Sequence, residues 1–95
     1  MIKVVARCTV KPGKAAEYRS LAARLTEDTR KENGCVSYAL YQDESDERAF
    51  SFIEEWTDRE ALDAHMKTKH FTEIVPQLNA LKEDGSSMHV YRSVE

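Results

Sequence analysis

Four side chains in the middle of this sequence can do acid–base or nucleophilic chemistry close to apolar residues: Cys35, Glu54, His65 and His70. Glu54 stands in Phe50-Ser51-Phe52-Ile53-Glu54-Glu55-Trp56, a stretch that reads as a strand. Alternate side chains of a strand share a face, so Phe50, Phe52, Glu54 and Trp56 point one way and Ser51, Ile53 and Glu55 the other. A carboxylate in an aromatic row must be hydrogen-bonded, neutralised or met by a ligand, unless it lies in water at the fraying end of its strand. His65 shares a helical face with Leu62. It is either a packed histidine tied by one hydrogen bond, or a proton acceptor or substrate orienter titrating near neutrality. Cys35 follows Gly34 and acts as a nucleophile only if a histidine approaches it; otherwise it is a small thiol opening a strand. Tyr38, Phe52 and Trp56 either line a pocket for a flat aromatic ligand or fill the core.

Other chemistries find little support. His65 and His70 are five residues apart, whereas two ligands on one helix face need a spacing of three or four, so no metal site is expected. His70, just past Thr68, falls in a first helical turn, and His89 alternates with Met88 and Val90 without an evident partner. The acidic run Asp43–Glu47 lacks the glycine and terminal glutamate of a calcium loop. No glycine-rich phosphate loop, nucleophile elbow or haem-attachment motif is present. A net charge of −3 with no run of Lys or Arg argues against nucleic acid as a partner. The apolar runs are far too short for a membrane span, and a chain that enters a strand at once with no signal-peptide pattern is expected in the cytoplasm. There, Cys8 and Cys35 are expected as reduced thiols rather than a disulfide.

The elements that must position these residues follow from pattern. Ninety-five residues, 33% of them charged and 41% hydrophobic, suit one globular domain over residues 1–95 with a thin core. Residues 2–10 alternate, with Ile2, Val4, Ala6, Cys8 and Val10 on an apolar face, and Lys11-Pro12-Gly13 ends that strand. Tyr18, Leu21, Ala22, Leu25 and Thr29 recur at helical spacing from Lys14 to about Lys31, with Gly34 predicted as a left-handed cap. A second strand from Cys35 to about Gln42 joins the aromatic strand, Arg48–Trp56, through the acidic turn. Thr57 or Asp58 caps a helix carrying Leu62, His65 and Met66. Thr68 caps another with Phe71, Ile74, Val75, Leu78 and Leu81 as its buried stripe, which Pro76 should kink or re-bound. Met88–Val94 forms the last strand. The order βαββαβ predicts a ferredoxin-like α+β fold, a four-stranded antiparallel sheet with its helices on one face. The other face, with Val5, Arg7, Thr9, Ser51, Ile53 and Glu55, is expected to meet a second copy in a homodimer, Arg7 and Glu55 pairing across it or at the interface.

Glu32-Asn33-Gly34-Cys35-Val36-Ser37-Tyr38, Phe52-Ile53-Glu54-Glu55-Trp56-Thr57-Asp58, Ala61-Leu62-Asp63-Ala64-His65 and Thr68-Lys69-His70-Phe71 resemble the antibiotic biosynthesis monooxygenase family, and Lys11-Pro12-Gly13 extends the likeness. The resemblance implies a dimeric α+β barrel. It also implies oxidation of a quinol or other electron-rich phenol by dioxygen without metal, flavin or other cofactor. On that reading His65, then Glu54, is the proton acceptor, Trp56, Phe52 and Tyr38 stack on or orient the ring, and His70 completes the substrate site. Within the family, the haem-degrading branch uses an asparagine on the first strand where this chain has Ala6. The pattern of Gly34-Cys35, Tyr38 and Trp56 is closer to the quinol-oxidising type than to the isomerase branch. A dimeric module that binds a small aromatic molecule without turnover is the alternative from another class.

Overall fold

A computed structural model describes all residues, Met1–Glu95. The chain runs β1 (Ile2–Thr9), α1 (Ala15–Thr29), β2 (Cys35–Asp43), β3 (Asp46–Trp56), α2 (Arg59–His65), α3 (Lys69–Ala80) and β4 (Ser87–Arg92). The strands form one antiparallel sheet in the order β2-β3-β1-β4. This is the ferredoxin-like βαββαβ arrangement, with the second helical region divided in two. No helix is long and apolar enough to cross a membrane.

The alternation of β1 and β3 determines which face is covered. Val4 lies opposite Glu54, Ala6 opposite Phe52 and Cys8 opposite Phe50, and side chains directly opposite each other in an antiparallel pair share a face. Those residues and Trp56 meet Tyr18, Ala22 and Leu25 of α1, Leu62 of α2, and Ile74 and Leu78 of α3 in one apolar cluster. Each fully buried side chain of this size is worth roughly 1.5–3 kcal/mol, so a thin core of large residues suffices. Lys3, Val5, Arg7, Ser51, Ile53 and Glu55 fall on the opposite face, which no element of the chain covers.

Several boundaries differ from the sequence expectation for local reasons. Helix α1 stops at Thr29, because its final N–H groups tighten into Lys31-to-Asp28 and Glu32-to-Thr29 bonds rather than continuing the helical ladder. Gly34, at φ +85°, therefore serves the turn into β2 and not the helix cap, which is Arg30. Strand β3 starts at Asp46, since Asp43 and Asp46 pair and leave a two-residue loop in which the Asp43 carboxylate accepts from Ser45 N at 2.8 Å. Pro76 neither ends nor re-bounds α3; its missing N–H falls on the exposed side of the helix. Arg7 and Glu55 do not pair with each other. The register sets Arg7 opposite Ser51 and Glu55 opposite Lys3, so Arg7 reaches Asp43 at 3.3 Å and Lys3 reaches Glu55 at 3.5 Å.

Candidate active site

Glu54 is 6% exposed on the helix-facing side of β3. Its neighbour two residues along the same face is Trp56, whose indole Nε1–H donates to Glu54 Oε1 at 3.0 Å. Burial, opposed by the indole bond and assisted by the charge of Glu32, raises the Glu54 pKa to about 7. One indole bond does not replace the hydration a carboxylate loses, so the group holds or releases its proton close to neutral pH.

Glu54 borders a cavity of about 260 Å³ between the sheet and α3. Tyr38 and Phe52 form its floor and Phe71, Val75 and Leu78 its helical wall, while Ala6 opposes Phe52 beneath it. The Tyr38 ring lies 5.3 Å from that of Phe52, and burial with the nearby Glu54 charge pushes its hydroxyl pKa well upward, so Tyr38 is a neutral phenol. The volume sits just under the common range of roughly 300–1,000 Å³ for small-molecule sites. A wider groove between α1 and β2 is open and lined mainly by charged and polar side chains such as Arg19, Glu27 and Arg30.

His65 is 2% exposed and stands behind this cavity rather than in its wall. The last turn of α2 sets its ring 4.6 Å from Trp56, 5.0 Å from Phe71 and 5.5 Å from Tyr38. Its Nδ1–H donates to Glu32 Oε2 at 2.8 Å, and His70 Nε2–H donates to the same oxygen at 2.6 Å. Burial lowers the His65 pKa more than Glu32 raises it, so the imidazole is neutral. In the sequence Glu32 stands out only as the first residue of the stretch Glu32–Tyr38; its role depends on the turn after α1 bringing it against α2 and α3, which no local pattern reveals. Trp56 is fully buried and touches the cavity only through Glu54, and His70 stands beyond His65, away from the cavity.

Glu32, His65 and His70 bring ligand-type atoms within 4.8 Å of one another, the set of residues that could hold a divalent metal. Two observations favour a hydrogen-bonded cluster instead. The imidazole nitrogens approach one carboxylate oxygen at donor–acceptor distance. His65 makes no second ring hydrogen bond of the kind that orients a metal-bound imidazole.

Cys35 is half-buried and not bonded to Cys8, which donates to the Tyr18 hydroxyl at 3.3 Å. A bulge at Val36 changes the parity of β2, so that Cys35 opposes Trp56 while Tyr38 opposes Glu54, all on the covered face. Burial, with Glu32 and Glu54 nearby, raises the Cys35 pKa, the reverse of what activates a thiol nucleophile.

The family model for antibiotic biosynthesis monooxygenase matches residues 1–77, and the chain belongs to that family. Among its relatives, the uncharacterized protein sll1783 of Synechocystis is 36% identical across 99% of this chain. The chain spans 64% of that protein's length. YcnE of Bacillus subtilis, whose name marks a monooxygenase assignment as provisional, is 37% identical over 75% of each chain. A crystal structure described as an antibiotic biosynthesis monooxygenase superposes with a TM-score of 0.94 at 40% identity, over 100% of both chains.

Proposed function

We propose that this protein is a monooxygenase that oxidises a quinol or related electron-rich phenol with dioxygen, with Glu54 as the proton acceptor. The observation that carries the reading is a carboxyl 6% exposed, bordering an aromatic cavity, with a pKa of about 7. Such a group is a stronger base than an ordinary carboxylate and is still ionised in good part at neutral pH. In the reaction the phenolic O–H of the quinol breaks and its proton passes to the Glu54 carboxylate. The quinolate gives one electron to dioxygen, and the radical pair joins to form a carbon–oxygen bond. Loss of water from the resulting hydroperoxide breaks the O–O bond and leaves a hydroxyquinone. The substrate supplies all the electrons, so quinol and dioxygen give hydroxyquinone and water with no other reductant.

In this reading Phe52, Tyr38 and Phe71 hold the ring and exclude water, which favours electron transfer from a poorly solvated anion. Trp56 orients the Glu54 carboxyl. His65, with its proton committed to Glu32, and His70, bonded to the same carboxylate, support the wall formed by Tyr38 and Phe71 rather than acting as the base. The uncovered sheet face carries Val5, Ile53, Tyr41 and Tyr91, the two tyrosines more than half exposed, and a second copy of the chain covers it. The unpaired thiols Cys8 and Cys35 suit a reducing compartment such as the cytoplasm.

Oxygen uptake with a panel of substituted hydroquinones tests the reading. The expected result is consumption of one dioxygen per quinol without release of hydrogen peroxide, with Glu54→Gln at least about a hundredfold slower and His65→Ala affected less. A panel in which no quinol consumes oxygen removes the oxidative reading and leaves a binding module. Equal rates in wild type and Glu54→Gln remove Glu54 from the chemistry.

A further inference from the structure

The cavity has two chemically different ends. Its buried lining includes Glu54 and Tyr38, and its exposed lining Asn79, Ser86 and Ser87, with Lys82 half-buried. Two cationic residues line the cavity, but Arg7 belongs to the opposite face of the sheet. Arg7 is engaged at 3.3 Å by Asp43. Lys82 is half-buried, and no carboxylate pairs with its ammonium; its neighbour Glu83 is held instead by Arg48 at 3.3 Å. Asp84 is exposed and does not border the cavity, but with Glu83 and Lys11 it lines an open surface groove that Lys82 also borders.

The sheet register sets the two ends well apart. Glu54 lies opposite Val4, and Lys82 bridges to Val10, six residues further along the same strand direction. At about 3.3 Å per residue, these backbone positions are on the order of 20 Å apart, a span shortened by the reach of both side chains. Between the ends the lining is apolar, with Phe52, Phe71, Val75, Leu78 and Met88. An anionic group on a ligand is repelled from the Glu54 end by like charge and excluded from the apolar middle by desolvation. Lys82, which lines the cavity and has no paired carboxylate, is the cation left for it.

We infer that the cavity takes an aromatic molecule carrying an anionic arm, with its ring hydroxyl toward Glu54 and its carboxylate, sulfate or phosphate on Lys82, which thereby sets both specificity and orientation. The inference rests on the reading of this cavity as the ligand site and extends it to the substrate's charge and shape. It does not depend on what reaction follows. Lys82 is a specificity residue, and the arm must be long enough to carry its charge past Val75 and Leu78 to the mouth.

The test is anaerobic calorimetric titration, which reads binding without turnover. The probes are hydroquinones bearing a ω-carboxyalkyl chain of graded length, each paired with its methyl ester. The carboxylate should bind about tenfold tighter than the ester at the best chain length, as a partly desolvated charge pair allows. Lys82→Arg should keep the preference, Lys82→Gln should abolish it, and Lys82→Glu should reverse it. Equal binding of acid and ester by the wild type overturns the inference, as does a preference that survives Lys82→Gln. If the preference holds but no probe consumes oxygen once air is admitted, the oxidative reading fails and the inference about the ligand stands. If oxygen is consumed equally well from acid and ester with equal affinity, the reverse is true.

Discussion

At the scale of single residues, the cost of Glu54 makes it measurable. Its folded pKa of about 7 lies above its ordinary value of 4.5, so the native state binds the proton more tightly than the unfolded chain between those values. The stability this group contributes is therefore full below about pH 4.5 and is lost as pH rises through 7. Glu54→Gln removes the titration. Urea unfolding of both proteins at pH 4 and pH 8 should show the difference shifting toward the glutamine variant at high pH, by on the order of 3 kcal/mol. Glu32 presents the opposite case, because its carboxylate satisfies two ring N–H groups at once. Glu32→Ala leaves a 2%-exposed imidazole donor without its partner, and a loss of roughly 1–3 kcal/mol is expected. Nitrogen NMR of His65 should show the Nδ1-protonated ring in the wild type and a mixture of tautomers in that variant.

At the scale of elements, the turn from α1 into β2 assembles the cluster behind the cavity. Gly34 has φ +85°, and a Cβ there would meet Ala61 Cβ at 2.6 Å and Thr57 Oγ1 at 2.9 Å. Its carbonyl also accepts from Thr57 N at 2.9 Å, which clamps the turn to the start of α2. Backbone conformation and space both exclude a side chain, so Gly34→Ala should cost about 1–3 kcal/mol in thermal or urea unfolding. It should also disturb the His65 ring signals, because the same turn carries Glu32. A Gly13→Ala variant keeps the positive-φ strain but meets nothing within 4 Å, and should cost less. The caps are simpler: Asp58 accepts from Ala61 N at 2.8 Å, and Thr68 accepts from Phe71 N at 3.3 Å, which places His65 and Phe71 at the ends of adjacent helices.

At the scale of the whole molecule, the sheet divides a covered face that holds the cavity from an uncovered one. Sedimentation equilibrium at micromolar concentration should give a dimer, and Ile53→Lys, placed in the middle of the uncovered face, should give a folded monomer. Much of this architecture is legible in the sequence. Period-two alternation in β1 and β3 and the 3.6-residue stripes of α1 and α3 follow from burial on one face, and chain order then restricts the topology. What the sequence hides is non-local. The Val36 bulge reverses the parity of Cys35, the early stop of α1 releases Glu32 to meet histidines more than thirty residues away, and the register parts Arg7 from Glu55. Which of Glu54 and His65 borders the cavity is equally invisible, since both alternate correctly onto the covered side and only the packing of Tyr38 and Phe71 separates them. Proton acceptance by Glu54 is read in the pH dependence of kcat/KM for the best hydroquinone. The rate should rise through an inflection near pH 7, and Glu54→Gln should be at least about a hundredfold slower with that inflection gone. An unchanged inflection and rate in Glu54→Gln would contradict it.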